Sequence, residues 1–526
     1  MRWSGSVRVW AFAVAALMVM SACSSGEDAD PDADGGSTSG SDSPTFAVSV
    51  PDEVVPPTVE GAGIVYPQPA APLPDGYIEE EFFVGGSASS FEAIDTPDDG
   101  FWSAEPDDEA DYRTRVIVRR PSAAEDFSGT VLLEWLNVSA IEAAPDWAYM
   151  SEEMGREGHA YIAVSAQAQG VEGGDTILTV EVDEEASADA GAEAPAGSSG
   201  LKNIDADRYG TLTHPGDAYA YDIFSQVGRA VTEAPDDLLG GLEAEHVIAL
   251  GESQSAFFLS TLANGVHPLD PVFDGFLIHS RGAGAAPLDG AALGSDDETV
   301  VQEGVLIRTD LDVPVFIVEA ETDLTLLGYA AARQTDTDRI RTWEIAGTAH
   351  ADAHQFRSIL GGPRDASVGS LIGCTEPINT GPHHEVVQAA LSHLVGWAAG
   401  GEAPPEGDPL ELENGEEVVI ARDGLGIALG GVRNPLVDVP VVVATGDPPG
   451  GGSLAGAADG DVDICVLFGS TTPIDQTMLT EIYGTADAYL VAFEASAAEA
   501  VAAGYLLEYD ADQLIAEAES NAALFG

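Results

Sequence analysis

Residues 246–263 read HVIALGESQSAFFLSTLA, which is the pattern of a strand, a turn and a helix. The short apolar run 246–250 predicts a buried strand leading straight into Gly251. Gly251-Glu252-Ser253-Gln254-Ser255 is then a G-x-S-x-small turn, and a helical run starts at Ala256. Such a turn holds its serine in a strained backbone conformation that lifts the hydroxyl above the end of the sheet. The positions two before and two after the serine must be small, because strand and helix cross closely there. Gly251 meets that need, and Ser255 is small without being glycine. The competing reading makes Ser253 only the N-cap of the helix that follows.

Short apolar strands are predicted on both sides of this turn, at 113–119, 130–136 and 160–165 before it and at 275–280, 313–319 and 341–345 after it. Helical patterns at 147–158, 219–233 and 384–399 alternate with them. That alternation predicts a mostly parallel sheet covered on both faces. Beyond residue 400 the composition shifts: 402–409 is rich in Pro, 440–444 is strand-like and 486–512 reads as helix. These form a smaller region packed on the core. Residues 182–200 are acidic, small and without periodicity, so they read as an exposed insertion.

Two further elements complete a possible site. The strand at 313–319 runs into Ala320-Glu321-Thr322-Asp323, and the strand at 341–345 runs into Ala346-Gly347-Thr348-Ala349-His350. A serine hydroxyl is a weak nucleophile at neutral pH. A histidine that takes its proton, oriented by a carboxylate, turns it into a strong one. Asp323 is the preferred carboxylate, with Glu321 as rival and a solvated surface acid as the bland alternative. His350 and His354 stand four apart in HADAH, which also admits a metal reading, although H-E-x-x-H is not present. His383 and His384 read as structural or helix-start residues, and His214 as a possible pocket residue. An oxyanion needs two preorganised donors. One is expected from the N–H of Gln254. The other is expected from the loop Leu136-Asn137-Val138-Ser139, with Asn137 as the candidate.

GESQSA, LEWLNVSA, AVSAQAQGV, RYGTLTHPGDAYAYDIFSQ, RTWEIAGTAHAD and INTGPHH together resemble a bacterial "alpha/beta hydrolase domain" family. The resemblance spans residues 46–523. It implies the α/β-hydrolase fold with its nucleophile elbow, Ser253 as nucleophile and His350 as base. The chain departs from the common G-x-S-x-G at Ser255 and carries no HGGG string.

Composition narrows the partners. Asp and Glu number 90 against 19 Lys and Arg, giving a net charge of −71, and Lys202 is the only lysine. Nucleic acid and anionic lipid surfaces would be repelled. A 45% apolar content excludes wholesale disorder. An acid-coated, lysine-poor surface also suits a salty or exposed habitat.

Residues 1–22 read as an export signal, with Arg2 and Arg8 before the apolar stretch 9–20. Met20-Ser21-Ala22-Cys23 resembles a bacterial lipoprotein processing site, which implies cleavage before Cys23 and acylation of its sulfur. An ordinary signal peptide is the alternative. Residues 23–45, rich in Ser, Gly, Asp and Pro, form a flexible acidic tether. The hydrolase core is expected over 46–400, with the insertion at 181–200, and the C-terminal region over 401–526. Cys374 and Cys465 remain as a candidate disulfide in an exported chain, or else as two buried thiols.

These features predict a secreted, lipid-anchored serine hydrolase that cleaves a carboxylic ester or related acyl bond, with no metal or other cofactor. The membrane is met only through the N-terminal lipid. So acidic a protein favours neutral or cationic substrates unless an arginine such as Arg281 or Arg333 lines the pocket. A non-catalytic binding lipoprotein on a hydrolase scaffold, or an acyltransferase, are the alternatives.

Overall fold

A computed structural model describes residues 46–59, 63, 73–174, 200–291, 304–360, 366–372, 374–415, 417–448 and 464–525. Cys23, the tether and, apart from Gly200, the 181–200 insertion lie outside the described residues. Residues Phe46–Gly526 form one compact unit.

Its centre is a nine-stranded sheet: β1 Glu53–Val55, β2 Tyr77–Asp95, β3 Ser103–Pro121, β4 Thr130–Trp135, β5 Ala160–Val164, β6 His246–Glu252, β7 Gly275–His279, β8 Val315–Ala320 and β9 Ile340–Ile345. The spatial order is β1-β2-β3-β5-β4-β6-β7-β8-β9. Strands β1, β2, β3 and β5 pair antiparallel in succession. From β5 onward every pairing is parallel. The order reverses at β4, which lies between β5 and β6. Loops leaving the C-terminal ends of β4 and β6 therefore border the place where open parallel sheets hold their ligands.

The helices used below are α1 Pro145–Glu157, α2 Ala220–Glu233, α3 Gln254–Thr261, α4 Ala353–Leu360, α5 His383–Ala398, α6 Ala486–Ala503 and α7 Glu508–Asn521. The central strands are apolar at successive positions because both faces are covered. Val131, Leu133, Trp135, Val247 and Ala249 pack with α2 and α3. Leu132, Ile248, Leu250, Phe316 and Val318 pack with α1 and α5 on the other face. Each large apolar side chain so buried contributes roughly 1.5–3 kcal/mol. Trp135 stacks on Phe258 of α3 with ring centroids 5.1 Å apart, which seats that helix against β4.

One local reading changes, and one long strand is added. The expected helix over 486–512 is two helices, because Gly504 at φ 84° ends α6 in the left-handed region and Leu507 is extended. The long strand β2 carries no clean alternation, since Gly85-Gly86-Ser87 interrupts it. Its 19 residues are held by pairing along β3.

The C-terminal residues do not stand apart from the core. Leu410, Ile420, Ile427, Ala428 and Val437 join the cluster under α2 and α3. Tyr489, Phe493, Leu506 and Leu514 build a small cluster between α6 and α7.

Cys374 and Cys465 are bonded to one another. The bridge sits in an apolar cluster with Ala351, Ile378, Leu467 and Phe468. Asn379 N–H donates to Phe468 O at 2.8 Å, so the link ties the chain after His350 to the C-terminal part. It closes a loop spanning 91 positions. Replacing both cysteines by serine is expected to lower unfolding stability by about 4 kcal/mol, through the added freedom of the unfolded chain. Denaturant titration of that variant, and of the wild type with and without reductant, checks this. Equal midpoints would contradict it.

Candidate active site

The turn at Ser253 is built by crowding. A methyl group on Gly251 would lie 2.9 Å from Leu259 Cδ1 and 3.1 Å from Ser255 Cβ, so α3 docks onto β6 only over a glycine. Ser253 adopts φ 58°, ψ −120°, a region that non-glycine residues rarely occupy. Its N–H donates to His279 O at 2.9 Å, which anchors the turn to the end of β7. Ser253 immediately precedes α3, whose positive end favours developing negative charge.

His350 lies on the loop after β9, where Gly347 turns at φ 77° and Thr348 Oγ1 donates to Ile345 O at 2.8 Å. Ser253 Oγ is 2.8 Å from His350 Nε2, and His350 Nδ1 is 2.6 Å from Asp323 Oδ1. Asp323 Oδ2 accepts Ala320 N–H at 2.6 Å, which fixes the carboxylate in its own turn. Burial pulls the His350 imidazolium down. The charge and hydrogen bond of Asp323, together with the charge of Glu252, outweigh it, and the group is held above the ordinary histidine range. Glu252 is buried with Oε1 3.8 Å from His350 Nε2, and burial pushes its carboxyl up to about 8.

Glu321, the rival acid, faces away from His350 Nδ1. Its Oε1 accepts Gly347 N–H at 2.6 Å. Its Oε2 accepts Gly446 N–H at 2.9 Å and Arg422 Nη2 at 2.7 Å. It clamps the His350 loop to the C-terminal part.

Asn137 does not take the predicted donor position. Its N–H donates to Ala143 O at 3.0 Å, and its side-chain amide donates to Glu252 O at 3.1 Å. It latches the loop after β4 to the serine turn, because a hairpin-like bridge to Ala143 consumes the backbone group. The neighbouring Val138 N–H donates to Gln254 Oε1 at 3.0 Å, so the side chain after Ser253 reaches that loop.

Other predicted residues are committed elsewhere. His214 Nε2 is 2.8 Å from Ala166 O, and its Nδ1 accepts Gly216 N–H at 3.2 Å, which makes it a loop tie. His354 Nε2 lies 3.1 Å from Ala148 O, so it and His350 turn to different partners. His383 and His384 open α5; His384 Nδ1 is 2.7 Å from Tyr149 O. Arg281 is fully buried and donates to Gly282 O and Val305 O. Arg333 pairs with both oxygens of Glu344 at 2.7 and 2.6 Å. Residues that the sequence reading passed over are Glu252, Glu134, Asp146 and His279, all buried close by. Glu134 inside TVLLEW and His279 at the end of GFLIH were the available signals, since an ionisable group in an apolar strand needs a partner.

A sheet reversing at β4, with a strained serine between β6 and α3, defines an α/β-hydrolase. The chain belongs to the family described as "Alpha/beta hydrolase domain", which matches residues 49–516. Among curated proteins nothing matches the chain. Among solved structures it is similar to a putative dienelactone hydrolase from Klebsiella pneumoniae, at 12% identity, 53% of this chain, 91% of that chain and TM-score 0.28. It is similar to acetyl xylan esterase 1 from Thermoanaerobacterium, at 12% identity, 49% and 80% coverage and TM-score 0.25. An arylesterase matches at 11% identity, 55% and 81% coverage and TM-score 0.27.

Proposed function

We propose that the protein is an exported, lipid-anchored serine hydrolase that cleaves a carboxylic ester or a related acyl bond. The observation that carries this reading is the unbroken hydrogen-bond series from Ser253 through His350 to Asp323, starting on a strained turn. His350 takes the Ser253 proton as Oγ attacks the carbonyl carbon. Asp323 holds the ring with Nε2 toward the serine and stabilises the imidazolium. The oxyanion is met by Gln254 N–H and, once the Gln254 side chain moves aside, by Val138 N–H. His350 then protonates the leaving alkoxide, and a water activated by the same ring releases the acyl group. Anchoring at the outer face of the cytoplasmic membrane rests on the signal and Cys23. Neutral or cationic esters are favoured because the surface is acidic and Arg281 and Arg333 are engaged within the protein.

A fluorophosphonate probe is expected to modify the peptide that carries Ser253, read by mass spectrometry, and a panel of neutral aryl esters to be turned over. The reaction needs neutral His350, whose pKa is raised. The rate is therefore expected to fall as pH drops through a midpoint above the ordinary histidine value of about 6.5. A probe adduct on another residue, or no ester turnover at any acyl length, would refute the assignment.

A further inference from the structure

Three side chains that this chemistry does not use lie in line beneath the His350 loop. Asp146 starts α1, His279 ends β7 and His383 starts α5, and each is fully buried. Asp146 Oδ1 is 2.8 Å from His279 Nδ1. His279 Nε2 is 2.8 Å from His383 Nε2. His383 Nδ1 is 3.1 Å from the carbonyl oxygen of Ala349, the residue before His350.

Counting protons fixes the state of this series. A carbonyl only accepts, so His383 Nδ1 carries a hydrogen. Exactly one hydrogen lies between the two Nε2 atoms, and exactly one between Asp146 and His279. Three contacts thus hold three protons, one more than a carboxylate and two neutral imidazoles possess, and the unit has zero net charge. Removing one proton sets lone pair against lone pair, and adding one sets hydrogen against hydrogen.

The third proton belongs on Asp146. Burial pushes its carboxyl up to about 8 and pulls His279 down to about 3. Burial also draws His383 well below the ordinary range, against the pull of Asp323. Glu134 lies beside Asp146 and accepts its N–H at 3.0 Å, and burial together with the charge of Asp146 pushes the Glu134 carboxyl well above the ordinary range too. The Tyr149 ring covers both imidazoles, with centroids 5.5 and 4.7 Å away.

We infer that Asp146, His279 and His383 form a net-neutral hydrogen-bond relay, headed by a protonated Asp146, that positions His350 through the Ala349 carbonyl. This rests on the reading of His350 as the general base. Asp146 O–H donates to His279, His279 donates to His383, and His383 donates to Ala349. A neutral relay leaves Asp323 as the nearest countercharge for the His350 imidazolium. A cationic His279 or His383 would repel it.

The test compares Asp146→Leu, Asp146→Asn and His383→Phe in the full chain, with kcat, KM and unfolding midpoints, and with 15N-histidine NMR on wild type. The leucine and phenylalanine variants are expected to lose about tenfold to a hundredfold in kcat with KM unchanged, through a misplaced base. Asparagine, whose amide N–H replaces the acid O–H, is expected to rescue most of that loss. The His279 and His383 rings are expected to keep neutral nitrogen shifts across about pH 5 to 7, where Asp146 holds its proton. An asparagine variant as poor as leucine, or an imidazolium signal from either ring, would overturn the relay. The NMR readout needs no turnover. Absence of ester hydrolysis with both rings neutral would count against the hydrolase reading while leaving the protonation state intact.

Discussion

Ser253→Ala is expected to lower kcat for ester hydrolysis by about 10⁶ while leaving the unfolding midpoint within experimental scatter of wild type. Among the described residues the hydroxyl bonds to His350 Nε2, so its loss takes away the proposed nucleophile and leaves the backbone ties of the turn in place. The fold around it is held by the Ser253 N–H bond to His279 O and by the Gly251 crossing, neither of which involves the side chain. Substrate binding should survive, so KM should move far less than kcat. Steady-state kinetics on a neutral ester, with wild type and variant matched by circular dichroism, makes the measurement. A variant retaining more than a hundredth of wild-type kcat would show that another group carries the reaction.

The second expected result separates the two acids that the sequence leaves in competition. Asp323→Asn should reduce kcat by about 10⁴, because an amide cannot hold His350 in the required tautomer or stabilise its cation. Glu321→Gln should act on the fold instead. It leaves Arg422, which keeps its pair with Asp447, and two backbone N–H groups facing a neutral partner, at a cost of about 1.5–3 kcal/mol for weakened charge-assisted hydrogen bonds. Its kcat, measured on the folded fraction at low temperature, should stay far above that of the aspartate variant. The reverse pattern would exchange their roles.

How far the sequence reaches follows from the range of each interaction. The strand–turn–helix at Ser253 was readable because its demands are local: an apolar run, a glycine and a small residue at fixed spacing. The core strands were readable because both faces are covered, which writes continuous apolar runs. The choice between Asp323 and Glu321 was not readable. The partners that occupy Glu321 stand at positions 347, 422 and 446, and no local pattern announces them. The partners of Asn137 were not readable for the same reason, since the bridge to Ala143 depends on the path of the loop. The buried Asp146–His279–His383 series is assembled from three separate elements. Only the oddity of a histidine inside GFLIH hinted at it.

The clamp at Glu321 also makes the candidate site a product of distant parts of the chain. The histidine loop is fastened through Glu321 to Arg422 and Gly446, and directly by Leu467 O, which accepts Ala351 N–H. Those residues therefore supply ties that fix the place of His350 from far along the chain. Shortening the gene to the segment that holds Ser253, Asp323 and His350 would discard the parts that fasten the histidine loop.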